Sequence, residues 1–150
     1  MSSTRRDFLS TALGAGAFGL CAPALRLAHA AGPLKVGLLL PARGTFAPLG
    51  EAITRAAKLY VAGKGGTLAG RAVTFVALDD ESAPPKATEL TNKLVFGENV
   101  DVLMGTVHSG VAAATVEIAR EAGVTTLVPN AGADAITRAM CAPNIFRTSF

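Results

Sequence analysis

Short apolar runs closed by glycine, proline or aspartate alternate along this chain with segments of helical periodicity, and that alternation leaves few folds open. Lys35-Val36-Gly37-Leu38-Leu39-Leu40 stops at Pro41, the profile of a buried strand. Residues 73–78 stop at Asp79-Asp80-Glu81, residues 100–104 at Gly105 and residues 124–128 at Pro129, while Ile145-Phe146-Arg147 begins a fifth run. Between the first two, Ile53, Ala56, Ala57, Tyr60 and Val61 recur at helical spacing until Gly63-Lys64-Gly65-Gly66 ends the pattern. Pro84-Pro85 opens a helix with Ala87, Leu90 and Leu94 on one face. Val111, Thr115, Ile118 and Ala122 mark another, with Ser109 expected as its N-cap and Gly123 as its C-cap. Asp134 is expected to cap a short helix.

Strands that are apolar on both faces and alternate with helices require a parallel sheet covered on each side. Right-handed crossovers wind such a chain into a doubly wound, Rossmann-like α/β domain. Ligands then bind at the carboxyl ends of the strands, where the strand order reverses. Here those ends are residues 41–50, 79–84, 105–109 and 129–134.

The start of the chain follows a different logic. Ser3-Thr4-Arg5-Arg6-Asp7-Phe8-Leu9 leads an uncharged stretch, residues 8–25, which closes on Ala28-His29-Ala30. A cationic start, a mild apolar run and a small-x-small end predict an export signal cleaved near Ala30. The Arg5-Arg6 pair followed by Phe-Leu points to the twin-arginine machinery, and so to a mature protein of residues 31–150 working in the periplasm. A retained membrane span is the weaker reading, because Gly14, Gly16, Gly19 and Pro23 dilute the run. Cys21 follows Leu20 rather than a small residue, which argues against a lipid anchor. Gly14-Ala-Gly16-Ala-Phe-Gly19 matches the dinucleotide fingerprint in letters only. No strand precedes it and no acidic residue follows until Glu51.

The whole chain carries 14 basic and 11 acidic residues. Without Arg5, Arg6, Arg26 and Asp7 the balance falls to 11 and 10. No basic stripe remains, so nucleic acid is not an expected partner. Only Cys141 and His108 remain of the cysteines and histidines, too few for a Cys/His zinc site, and no cofactor is expected.

The loop Gly105-Thr106-Val107-His108-Ser109-Gly110 carries the most chemistry. Amides in the first turn of a helix lack partners, and beside a serine hydroxyl they suit a carboxylate. The alternative is that Ser109 only caps its helix. Pro129-Asn130-Ala131-Gly132-Ala133 is small enough for its backbone to approach a ligand closely, and it should face the same cleft. His108-Ser109 does not form a nucleophile elbow, since Val107 and Val111 stand where glycines are needed. Asp79-Asp80-Glu81 are expected to be solvated strand-end charges rather than a magnesium site.

In this order and spacing, several stretches carry a resemblance: Val36-Gly37-Leu38-Leu39 with Gly44 and Gly50, residues 64–70, Leu78-Asp79-Asp80 with Pro85 and Ala87, residues 105–109, Gly123-Val124, Pro129-Asn130-Ala131 and Phe146-Arg147-Thr148. Together they resemble the periplasmic solute-binding proteins of ABC importers, in particular the Leu/Ile/Val group. The resemblance spans residues 34–150. It implies a two-lobed receptor, with no catalytic residue, that closes on a small solute and presents it to an ABC permease in the inner membrane. This chain would supply the N-terminal lobe and lack the second. By position, Ser109, Asn130, Ala131 and Gly132 would hold the carboxylate and amino group of an amino acid, with His108 beside them. Leu49, in the first loop, would touch the apolar part. The family's amino-acid binders commonly place threonine at the position of Gly132. That departure fits an aromatic acid, a small amide or another carboxylate equally well. A ligand-sensing regulator on the same lobe is the other reading the resemblance allows.

Overall fold

A computed structural model describes residues 32–148. Arg5, Arg6, Ala28 and Ala30, on which the export reading rests, lie outside those residues. The elements run in the order β1 (Leu34–Leu39), α1 (Ala47–Gly63), β2 (Thr67–Leu68), β3 (Arg71–Leu78), α2 (Pro84–Asn92), β4 (Val102–Gly105), α3 (Ser109–Ala122), β5 (Thr125–Val128) and β6 (Ile145–Arg147). A π-helical turn, Lys93–Gly97, prolongs α2, and a 3₁₀ turn, Asp134–Thr137, precedes β6.

One sheet holds all the strands in the order β2-β3-β1-β4-β5-β6. The pairs β1–β3, β1–β4, β4–β5 and β5–β6 are parallel, with Val36 opposite both Phe75 and Val102. This is the doubly wound α/β arrangement expected, with one addition. The two-residue β2 runs antiparallel along the edge of β3. Ala69 and Gly70 make the turn between them, both left-handed at φ 49° and 77°, as a tight hairpin demands.

The core is split by the sheet. On one side Leu39, Leu94, Leu103, Val116 and Val128 pack with Ala112 and Ala119 under α2 and α3. On the other, Val36, Leu38, Leu40 and Val107 meet Phe46 and Ile53 from the α1 side. Burying each large aliphatic side chain of this kind contributes about 1.5–3 kcal/mol. Thr91 and Thr115 bury their hydroxyls between α2 and α3 by bonding each other at 3.2 Å, which offsets the desolvation both would otherwise suffer.

Three local expectations are corrected. Tyr60 and Ala56 do not belong to the inner face of α1; Ile53, Ala57 and Val61 form it, and Tyr60 is exposed with its ring under the Lys64 ammonium at 5.7 Å. Ser109 is not the N-cap of α3. That position belongs to His108, whose Nδ1 accepts the Gly110 N–H at 3.1 Å. Asp134 does not cap its short turn either; Ala133 stands at that position and no side chain bonds the turn. By contrast Gly123 closes α3 with φ 70°, the left-handed C-cap expected of it.

Close backbone approach shapes the two central crossovers. A Cβ on Gly105 would stand 2.0 Å from the Leu39 carbonyl oxygen, and one on Gly50 the same distance from that of Pro41. Only glycine permits either contact. Among the described residues, no helix is long and apolar enough to cross a membrane.

Candidate functional site

The chain turns from β1 outward to β3, then returns to place β4 on the other side of β1. The strand order therefore reverses at β1, and the loops after β1 and β4 diverge there, where open sheets of this kind bind ligands. The N-cap of α1 is Phe46 and that of α3 is His108. Their rings lie 6.1 Å apart between centroids, tilted by 53°.

His108 is held from both sides. Its Nδ1 accepts an amide proton from Gly110, so in the neutral ring the hydrogen sits on Nε2, which becomes a donor. Its carbonyl accepts the Thr106 hydroxyl at 3.2 Å and the Ala112 N–H at 3.0 Å. Ser109, the first residue of α3, is exposed, and its hydroxyl makes no hydrogen bond among the described residues. Capping falls instead to its neighbour His108.

The loop after β5 joins this constellation through the backbone. Ala131 donates its N–H to the Thr106 carbonyl at 3.2 Å. Ala131 is buried, whereas Asn130 is partly buried and Gly132 exposed. Arg147 reaches back from β6 to the Ala133 carbonyl at 3.0 Å and steadies the far end of the same loop. His108, Ser109, Asn130, Ala131 and Gly132 are therefore brought to one end of the sheet. Leu49 lies in the first turn of α1 rather than in the preceding loop, and it is 45% exposed. Phe46 is the aromatic residue that sequence reasoning missed. Its signal was a lone aromatic ring between Pro41 and Gly50.

The strand-end acids divide in a way the sequence did not indicate. Burial pushes Asp79 upward, but the Arg43 guanidinium at 2.7 Å and the N–H groups of Ala42 and Glu81 outweigh it and hold the carboxyl below its ordinary range. Glu81 bonds Lys86 at 2.7 Å and Arg43 at 2.6 Å, and the Lys86 ammonium leads in holding it low. Asp80 is not solvated at all: it is 0% exposed. Desolvation raises its proton affinity, the Asp79 charge adds to that, and the Ser82 N–H and His108 oppose it.

A groove of about 580 Å³ opens beside α1, floored by Leu38, Leu40 and Leu78 and rimmed by Glu51, Arg55 and Lys58. None of the residues gathered around His108 lines it. The groove and the His108 cluster are thus separate features of the lobe.

The match to a family model described as periplasmic binding protein covers residues 33–150. The chain belongs to that family. A solved structure, the solute-binding protein of an ABC transporter from R. palustris in complex with benzoate, is 72% identical. The match covers 79% of this chain and 33% of that one, with a TM-score of 0.78. Another, from Rhodopseudomonas palustris BisB5 in complex with 3,4-dihydroxy benzoic acid, is 35% identical over 79% of this chain and 32% of its own, at a TM-score of 0.73. The Leu/Ile/Val-binding protein BraC3 of Rhizobium johnstonii is 32% identical over 114 residues, 75% of this chain and 30% of that protein. This periplasmic binding protein lobe thus spans about a third of the length of the relatives it matches. The sheet with its flanking helices is one lobe of such a protein.

Proposed function

We propose that this lobe forms one wall of a site for an aromatic monocarboxylate of the benzoate type, in a receptor that delivers its solute to an ABC permease. The observation that carries the reading is the 72% identity to a benzoate-bound solute-binding protein, across 79% of this chain. The local chemistry agrees. Ser109 and the amides opening α3 suit a carboxylate, and the His108 Nε2–H adds a donor. The Phe46 ring beside it offers an edge or face to an aromatic solute. Gly132 supplies no hydroxyl for an amino acid's amino group.

The receptor acts outside the cytoplasm after export through the twin-arginine machinery, a reading supported by Arg5-Arg6 and Ala28-His29-Ala30. It performs no chemistry on its solute; selectivity comes from closure of two lobes around it. A branched-chain amino acid is the second reading, favoured by the 32% identity to BraC3.

Isothermal titration of the complete protein with benzoate, 3,4-dihydroxybenzoate and isoleucine separates the two. Micromolar or tighter binding of benzoate with none of isoleucine is expected, and Phe46→Leu should weaken benzoate several-fold. Isoleucine binding in preference to both aromatic acids would overturn the reading.

A further inference from the structure

We propose that Asp80 is a specificity-determining residue behind the solute site, whose carboxylate takes up a proton when an anionic solute is captured at the head of α3; this rests on the carboxylate reading of that site. Asp80 is completely buried at the end of β3. One oxygen, Oδ1, accepts the Ser82 N–H at 2.8 Å. The other, Oδ2, has no hydrogen-bond partner, and neither has the buried hydroxyl of Ser82. An ionised carboxylate oxygen buried without a donor is costly, and protonation removes most of that cost.

The loop after β3 lies against the head of α3. A Cβ on Gly110 would stand 3.0 Å from both the His108 Cε1 and the Pro84 Cγ, so ring, helix start and loop are in mutual contact. The cations nearest this loop are already committed to its other acids. Arg43, from the loop after β1, holds Asp79 and Glu81, and Lys86 on α2 holds Glu81. From the loop after β4 comes His108, which opposes the Asp80 charge when cationic. Its Nδ1 accepts the Gly110 N–H. Asp79, on the same loop, repels.

A solute carboxylate at the head of α3 therefore adds to the Asp79 charge beside a buried carboxyl that no side-chain cation bonds. Like charges at close range raise proton affinity. Binding and proton uptake are then linked, and acid conditions favour a carboxylate over its neutral amide.

The test is isothermal titration of the complete protein with benzoate and with benzamide, between about pH 5 and 7, in two buffers of different ionisation enthalpy. The wild type should take up protons at saturating benzoate, with affinity rising by up to about tenfold per pH unit lost. Benzamide should show neither effect. Asp80→Asn keeps an acceptor for Ser82 and should abolish the uptake, with a thermal melt confirming its fold. His108→Gln binds more weakly but, titrated to saturation with benzoate, should retain it. Uptake that persists in Asp80→Asn, or disappears in His108→Gln, overturns the proposal. If Asp80→Asn does not fold, the wild type and His108→Gln decide alone, by the same criteria. Benzoate binding without uptake overturns this inference and spares the solute reading. No binding of any aromatic carboxylate overturns both.

Discussion

The Thr106 carbonyl accepts the Ala131 N–H at 3.2 Å, and this bond ties the loop after β4 to the loop after β5. The residues that flank each end, His108 and Ser109 on one side, Asn130 and Gly132 on the other, thereby share the same end of the sheet. Both are turns between a buried strand and the element that follows, so their backbones are anchored rather than free.

Ser109→Ala tests the division of labour at the head of α3. The hydroxyl makes no bond within the described residues, so folding stability should stay within about 0.5 kcal/mol of the wild type, as for an ordinary surface change. Carboxylate affinity in the complete protein should fall by about 1.5–3 kcal/mol, the worth of one hydrogen bond to a charged group. Parallel titration and melting curves read both quantities.

His108 should behave in the opposite manner with respect to stability. His108→Ala removes the cap on Gly110 and should cost about 1 kcal/mol of folding stability. His108→Asn restores a side-chain cap and should recover most of that loss. Without an imidazole donor beside Phe46, solute affinity should remain reduced in both. Urea unfolding paired with solute titration separates the two roles.

Gly50→Ala should be among the most damaging small substitutions in this lobe. The new methyl would meet the Pro41 carbonyl oxygen at 2.0 Å, and both groups belong to backbone that cannot rotate away. A loss of more than about 3 kcal/mol is expected, beyond the usual range for point changes. The lobe either fails to accumulate in folded form or melts far below the wild type. Gly63→Ala, with nothing within 4 Å of the added carbon, is the control and should be nearly silent.

Asp101 gives a pH dependence whose sign is set. Its carboxylate accepts the Lys35 N–H at 2.8 Å and pairs with the Arg71 guanidinium at 2.9 Å. The Lys35 bond first, then Arg71, hold it below its ordinary range. A lowered carboxyl contributes stability above its unfolded range and loses it as pH falls through its folded range. Asp101→Asn should therefore flatten the acid side of the stability profile. Its cost at neutral pH should not exceed about 1 kcal/mol, because the pair is partly solvated and screened. Urea midpoints across acid and neutral pH measure both.

The alternation of apolar runs and helical spacing was enough to read β1, β3, β4, β5, β6 and the three main helices, because strand and helix periodicity is written in neighbouring residues. Gly123 at the end of α3 and Pro84-Pro85 at the start of α2 were legible for the same reason. The β2 hairpin left a signal in Ala69-Gly70, but a two-residue strand is too short to show a period. His108 and Ser109 are adjacent, and sequence could not say which of them caps α3. That depends on the backbone angle at which the chain leaves β4, which turns the imidazole onto the Gly110 N–H. Asp80 looked like one of three solvated acids. Its burial follows from the position of the loop after β3 against the head of α3, a meeting of segments that are distant along the chain. Local order was set by near neighbours, whereas the partners of each polar group were chosen by the order of strands in the sheet.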